Sequence, residues 1–246
     1  MYVMTASFVL YGQDYGIPGE AGRLFIQAKT EAEQNGEFEK AIGLLKKSES
    51  QLINQGQGNG VAHSRILVYI AEQILNNSFS RPDTQSAASY LDRAGEIHAR
   101  LRDESSEEFI HLRNMYGVLA RMEGDEARSM QYFNAVLQDA APNTAGYAHA
   151  LQNIGILHFN ARRYAEALPY FERALKVRSD ILPTGDDSCM NTMGWISYCH
   201  LYMQDYDAAE KALELSDELY QVVKDKETYA GILHNRASIY HLRGRY

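Results

Sequence analysis

Residues 150–180 read ALQNIGILHFNARRYAEALPYFERALKVRSD. Small residues fall at Gly155, Ala167 and Ala174, with large ones at Leu151, Ile154, Tyr164 and Phe171. Read as two helices, 143–160 and 164–179, each small residue has a task. Gly155, in the middle of the first helix, lets the second approach closely, and the alanines let the next unit stack. The large residues then fill the shared core.

The same pattern recurs outward from this stretch. Taking Gly155 as reference, the equivalent position returns at Gly117 with Phe133, at Ser197 with Tyr206, Ala209 and Leu213, and at Ala237 with Tyr246. Upstream, Lys29 and Ala71 take the first-helix position, with Phe38, Ala41 and Leu45 and then Ala87, Leu91 and Ala94 forming the second helices. Successive reference positions lie 42, 46, 38, 42 and 40 residues apart. The pattern predicts eleven helices: 20–34, 37–54, 58–77, 84–102, 104–123, 126–139, 143–160, 164–179, 186–203, 206–224 and 226–242. Turn signals at Asn35-Gly36, Gly124-Asp125, Pro183-Thr184-Gly185 and Gly244 fall between or after them. No strand is expected.

The period exceeds the roughly 34 residues of the simplest tetratricopeptide repeat. ALPYFERALKVRSDILPTGDD, residues 167–187, resembles the longer variety of that repeat seen in kinesin light chains and in many bacterial sensor and regulatory proteins. Asn153 in QNIG and Asn235 in HNRA match the asparagine preceding the reference position in that subtype, whereas Trp195 stands there before Ser197. The resemblance implies an all-α, right-handed superhelical solenoid of antiparallel helix pairs. Residues 20–246 would hold five pairs and an unpaired final helix. Because the chain reaches only Tyr246, where a second helix would open, it is expected to be part of a longer protein. The uncapped end would then offer a surface for self-association.

Residues 1–19 stand apart. MYVMTASFVLYGQD reads either as the end of a secretory signal or as an element packed on the first repeat, which leaves periplasm and cytoplasm both open. Composition narrows the function classes further. The 246 residues carry 24 basic and 32 acidic side chains, a net charge of -8, which offers no footprint for nucleic acid or an anionic membrane. No apolar run approaches a membrane-spanning length. Cys189 and Cys199, about 15 Å apart along one helix, are too distant to bridge.

Function is therefore expected to be recognition: a protein or peptide segment bound without catalysis along the concave face of the first helices, as the resemblance implies. Counting from the reference positions places Asn114, Arg121, Asn153, Asn160 and Asn235 there, with Tyr198 and Tyr202 one turn apart on the same helix. Arg65, Glu72, His111, His149, Gln152 and Phe159 share that face. Amides pair with both donors and acceptors of a peptide backbone, and tyrosines offer apolar area at low entropy. The other reading makes the chain the sensory region of a larger signalling protein, such as a histidine kinase or a transcription regulator.

Chemistry beyond binding finds no support in the sequence. A carboxylate clamp needs several lysines and arginines beside asparagines, and Arg121 alone does not supply it. The eight histidines form neither HxxxH nor HExxH, so no metal or cofactor is expected. There is no GxSxG and no glycine-rich phosphate loop, so no enzyme is expected either.

Overall fold

Capping chemistry sets where the helices begin. Asp83, Ser106 and Thr144 each accept a hydrogen bond from the backbone N–H three residues on, at 3.0, 3.2 and 3.4 Å, and so satisfy a donor that the first turn leaves open. The computed structural model describes residues 15–33, 35–76, 83–181, 187–223, 233–234 and 236–241. Ten helices follow in order: α1 Gly19–Glu33, α2 Phe38–Asn54, α3 Val61–Asn76, α4 Thr84–Leu101, α5 Glu107–Met122, α6 Glu126–Asp139, α7 Ala145–Asn160, α8 Tyr164–Ile181, α9 Asp187–Tyr202 and α10 Tyr206–Val223. Residues 236–241 are helical as well, and the described residues contain no strand.

These helices match the sequence expectation closely, with two corrections at N-termini. α3 begins at Val61 and α5 at Glu107, each three residues later than expected. At α5 the reason is visible. Asp103 accepts from the Ser106 backbone and hydroxyl, and Ser106, in extended conformation, caps the helix itself, so residues 104 and 105 belong to the loop. The first 14 residues, the Pro183-Thr184-Gly185 turn, Asn235, Gly244 and Tyr246 lie outside the described residues.

Within each helix pair the two helices run antiparallel, as α5 and α6 show. Arg113 in α5 bonds Asp139 at the end of α6, whereas Gly117, further along α5, faces Phe133, earlier in α6. The connecting loops repeat one device. After α5, α7 and α9 the backbone turns left-handed at Gly124, Arg162 and Gln204, with φ of 83, 59 and 64°. The next N–H reaches back to Ala120, His158 and His200 oxygens to close the turn.

The chain forms two compact units, Met1–Asp139 and Ala140–Tyr246. In the first, α1 to α3 enclose a cluster that includes Phe25, Leu45, Leu52, Ile66 and Ile70. Lys29, at a position where other repeats carry a small residue, is buried with its ammonium 4.9 Å from the Tyr15 ring and 5.8 Å from that of Tyr69. In the second unit Ile156, Phe171, Ile196 and Cys199 form one cluster, and Met190, Leu201, Leu213 and Ile239 another. Both cysteines are buried and form no disulfide, and burial pushes the Cys199 thiol up to about 12, with Glu172 adding to the shift.

Glu49 of α2 gives the first unit a measurable acid sensitivity. Burial raises its carboxyl pKa, but hydrogen bonds and charge from His63 and Arg93 outweigh that and hold it below the usual value. A carboxylate with a depressed folded pKa contributes stability above its unfolded pKa and loses it as pH falls through the folded value. Thermal midpoints should therefore hold from neutrality down to about pH 5 and fall below it. Glu49→Gln is expected to flatten part of that acid limb. Melts at a series of pH values check this, and an acid limb as steep in the variant would refute it.

Candidate functional site

The first helices of the pairs carry the residues singled out by sequence, and each unit presents its own set. In the second unit an aromatic group gathers where α7 and α9 end and α8 begins. Tyr202, the last residue of α9, is 55% exposed yet stacks on Tyr164, the first residue of α8, with ring centroids 5.0 Å apart and 16° between planes. Phe159, one residue from the end of α7, meets Tyr202 edge-on at 5.5 Å and Tyr164 at 5.1 Å. Trp195 supports Phe159 from behind at 5.2 Å and lies flat on the buried Phe171 at 5.6 Å. Tyr202 is thus held by rings that reach down to the core.

Tyr198, one turn before Tyr202, is partly buried and packs on Phe159 and Trp195. Burial, with Tyr202 nearby, raises its phenol pKa, so it stays a neutral hydroxyl. Asn160 is exposed at the end of α7. Asn153 is placed differently. It is 2% exposed, and its Nδ2 donates to the His149 carbonyl oxygen at 3.0 Å within its own helix. Deeper still lies a polar network that sequence reasoning missed. Arg178 of α8, 4% exposed, donates through Nη1 to Gln152 Oε1, to Thr192 Oγ1 and, at 3.2 Å, to the Ser188 carbonyl. Gln152 in turn donates to Asn191 Oδ1 at 3.2 Å.

In the first unit, α3 and α5 run side by side in the same direction. Arg65 near the start of α3 pairs with Glu108 at the start of α5, and His111 Nε2 lies 3.6 Å from Glu72 Oε2. Asn114 and Val118 continue the same face of α5 and are buried at 0% and 1% exposure. Arg121, in the last turn, is partly exposed and its Nε is enclosed with no hydrogen-bond acceptor. Burial alone lowers its guanidinium to about 10, which leaves it cationic at neutral pH. Among the described residues no cluster of His, Cys, Asp and Glu is arranged to hold a metal, and no helix is long and apolar enough to cross a membrane.

Comparison with known proteins agrees with this architecture. Residues 148–186 match the family model for the tetratricopeptide repeat. No curated protein matches the sequence. Among solved structures, BtubC (BKLC) from P. vanneervenii is similar at TM-score 0.59 and 16% identity, over 81% of this chain and 79% of that one. A Rap protein complexed with Competence and Sporulation Factor is similar at TM-score 0.73 and 15% identity, over 87% of this chain. Aspartyl phosphate phosphatase F from Bacillus subtilis is similar at 0.66 and 19%, over 89% of this chain. The match spans only 57% of the Rap protein and 55% of phosphatase F. A putative kinesin light chain of TPR-like repeats, from Podosopora anserina, shares the fold at 0.54 and 12%, over 80% of this chain and 93% of its own. Residues 148–186 are therefore a tetratricopeptide repeat, and the helix pairs around them share the fold of tetratricopeptide-like repeat proteins.

Proposed function

We propose that this chain is a non-catalytic scaffold that binds a peptide or protein segment on the faces of its first helices. The observation that carries the reading is Tyr202. A large aromatic side chain 55% open to solvent, yet held by stacking on Tyr164 and by the edge of Phe159, is an anchor ordered in advance, so a partner that buries it loses little conformational entropy. Support of another kind comes from the Rap protein, which shares the fold and was solved complexed with Competence and Sporulation Factor. Asn160, exposed at the end of α7, would serve such a segment as a backbone-pairing amide, with Tyr198 extending the apolar contact.

The test is capture of peptides from a random library on the immobilised full chain, followed by titration of the enriched sequences. Tyr202→Ala is expected to weaken binding by about 1 to 2 kcal/mol, because it removes an exposed anchor and little of the core. Its thermal midpoint should fall only modestly, through loss of the contacts with Tyr164 and Phe159. A folded variant that binds as tightly as wild type would remove the tyrosine platform from the site.

A further inference from the structure

His63, in the first turn of α3, is 5% exposed, and both of its ring nitrogens meet groups that only accept hydrogen bonds. Nδ1 lies 2.5 Å from the Gly58 carbonyl oxygen, in the loop between α2 and α3, and Nε2 lies 3.1 Å from Glu49 Oε1 on α2. A neutral imidazole carries one N–H and satisfies one of these acceptors; the protonated ring satisfies both. His98, the buried histidine nearby on α4, is under no such constraint. It meets Asp103 Oδ2 with one nitrogen and the Ser64 hydroxyl with the other, and a hydroxyl donates as well as accepts, so a neutral ring keeps both bonds.

The surroundings decide which bond the neutral His63 ring gives up. Arg93 of α4 bonds the same Glu49 oxygen and helps to keep that carboxylate ionised. A hydrogen bond to a charged acceptor outweighs one to a carbonyl, so Nε2 keeps its proton and the Nδ1 lone pair is left facing the Gly58 oxygen. Other charged groups along α3 are committed elsewhere. Glu108 of α5 pairs with Arg65, Glu72 lies by His111, and Lys29 of α1 sits over the Tyr69 ring, about 9 Å further along the helix. Gly58 belongs to Gln55-Gly56-Gln57-Gly58-Asn59-Gly60, a stretch whose three glycines gain much backbone freedom once it is untied.

We propose that His63 is a proton-operated latch on the 55–60 loop, closed when its ring is protonated and open when the ring is neutral. The sign follows from the donor count. The tie is present on the acid side and is lost as pH rises, opposite to the contribution of the Glu49 carboxylate, which is lost as pH falls.

The experiment is amide hydrogen exchange on the intact chain from about pH 5 to 8, with each rate divided by the unfolded-chain rate at the same pH. The reporters stand at the two ends of the loop: the Gln57 N–H, bonded to the Leu52 oxygen, and the His63 and Ser64 N–H groups, bonded to the Gly60 oxygen. Their protection should be about tenfold higher at the acid end, whereas that of Asp125, whose N–H reaches the Ala120 oxygen in the turn after α5, should not change. Glu49→Gln makes the sharpest distinction. Its amide can donate to Nε2, which leaves the neutral ring an Nδ1–H for Gly58, so the loop should stay protected throughout. His63→Phe should hold the loop at the low, alkaline level throughout. Wild-type protection that does not vary with pH overturns the inference, as does a Glu49→Gln chain whose loop still loosens as pH rises. If His63→Phe does not fold, wild type and Glu49→Gln decide, together with nitrogen NMR of the wild-type His63 ring. Both ring nitrogens should carry protons while the loop is protected and one when it is not; a single N–H across the whole range overturns the latch.

Discussion

Gly155→Ala should lower stability, although alanine is the better helix former by about 0.5 to 1 kcal/mol. A Cβ at Gly155 would stand 2.8 Å from Phe171 Cε1 and 2.9 Å from its Cζ, closer than non-bonded carbons approach. Phe171 is fully buried and lies flat on Trp195 at 9° between planes, so the ring has no room to retreat. Overpacking of this kind costs about 1 to 3 kcal/mol, which exceeds the helical gain, and Gly155→Leu should reach or pass the upper figure. Gly117 is tighter, with a Cβ only 2.5 Å from Phe133 Cε1, so Gly117→Ala should lose more than Gly155→Ala. Gly43 is the control. It sits inside α2 with nothing within 4 Å of an added Cβ, and Gly43→Ala should gain stability. Denaturant midpoints of the three alanine variants settle the matter. Gly155→Ala combined with Phe171→Leu should recover part of the loss, because the two sites share one contact. If Gly155→Ala stabilises as Gly43→Ala does, the close approach of α7 and α8 is not what the glycine is for.

That contact was legible in the sequence because a glycine opposite a phenylalanine has few other uses at helical spacing, and the 155/171 and 117/133 pairs repeat it. Helix ends were legible from turn residues such as Gly124, but where a side-chain cap decides the start, as Ser106 does for α5, the count along the sequence began the helix three residues early. The site was less so. Counting from a reference position gives the direction of a side chain but not its partner. Asn153 and Asn160 both lie on α7, yet one spends its amide on its own helix and the other stands in solvent. Tyr202 owes its rigidity to Tyr164 and Phe159, which come from two other helices. Arg121 is placed on its face by the count, but that its Nε is enclosed without an acceptor is visible only in the packing.

One buried position left a sequence signal that went unread. On the core stripe of α8, Ala167, Phe171 and Ala174 are followed four residues later by Arg178, and on α4, Ala87, Leu91 and Ala94 are followed by His98 at the same interval. A polar residue continuing a fully buried stripe must find partners inside. His98 finds Ser64 Oγ at 2.9 Å and Asp103 Oδ2 at 3.0 Å. Arg178 finds Gln152, Thr192 and Ser188, and so ties α8 to α7 and α9 through one side chain.

Arg178→Met preserves much of the volume and removes every donor, so Gln152 Oε1 and the Ser188 carbonyl must share what the Thr192 hydroxyl can give. That hydroxyl has one proton for two acceptors, at 3.1 and 2.7 Å. The Ser188 carbonyl keeps its helical bond, so what is lost is the set of hydrogen bonds from a charged donor at the centre of a buried network. The expected cost is about 2 to 4 kcal/mol, read as a lower unfolding midpoint. Arg178→Lys should fall between, since an ammonium cannot reproduce the planar fork. The informative comparison is with Arg121→Met, the same substitution at a partly buried arginine of the first unit whose Nε meets no acceptor. The first arginine satisfies its surroundings, so its removal destabilises; the second leaves its Nε unmatched, so its removal should not. Equal losses at the two positions would mean that both arginines are structural.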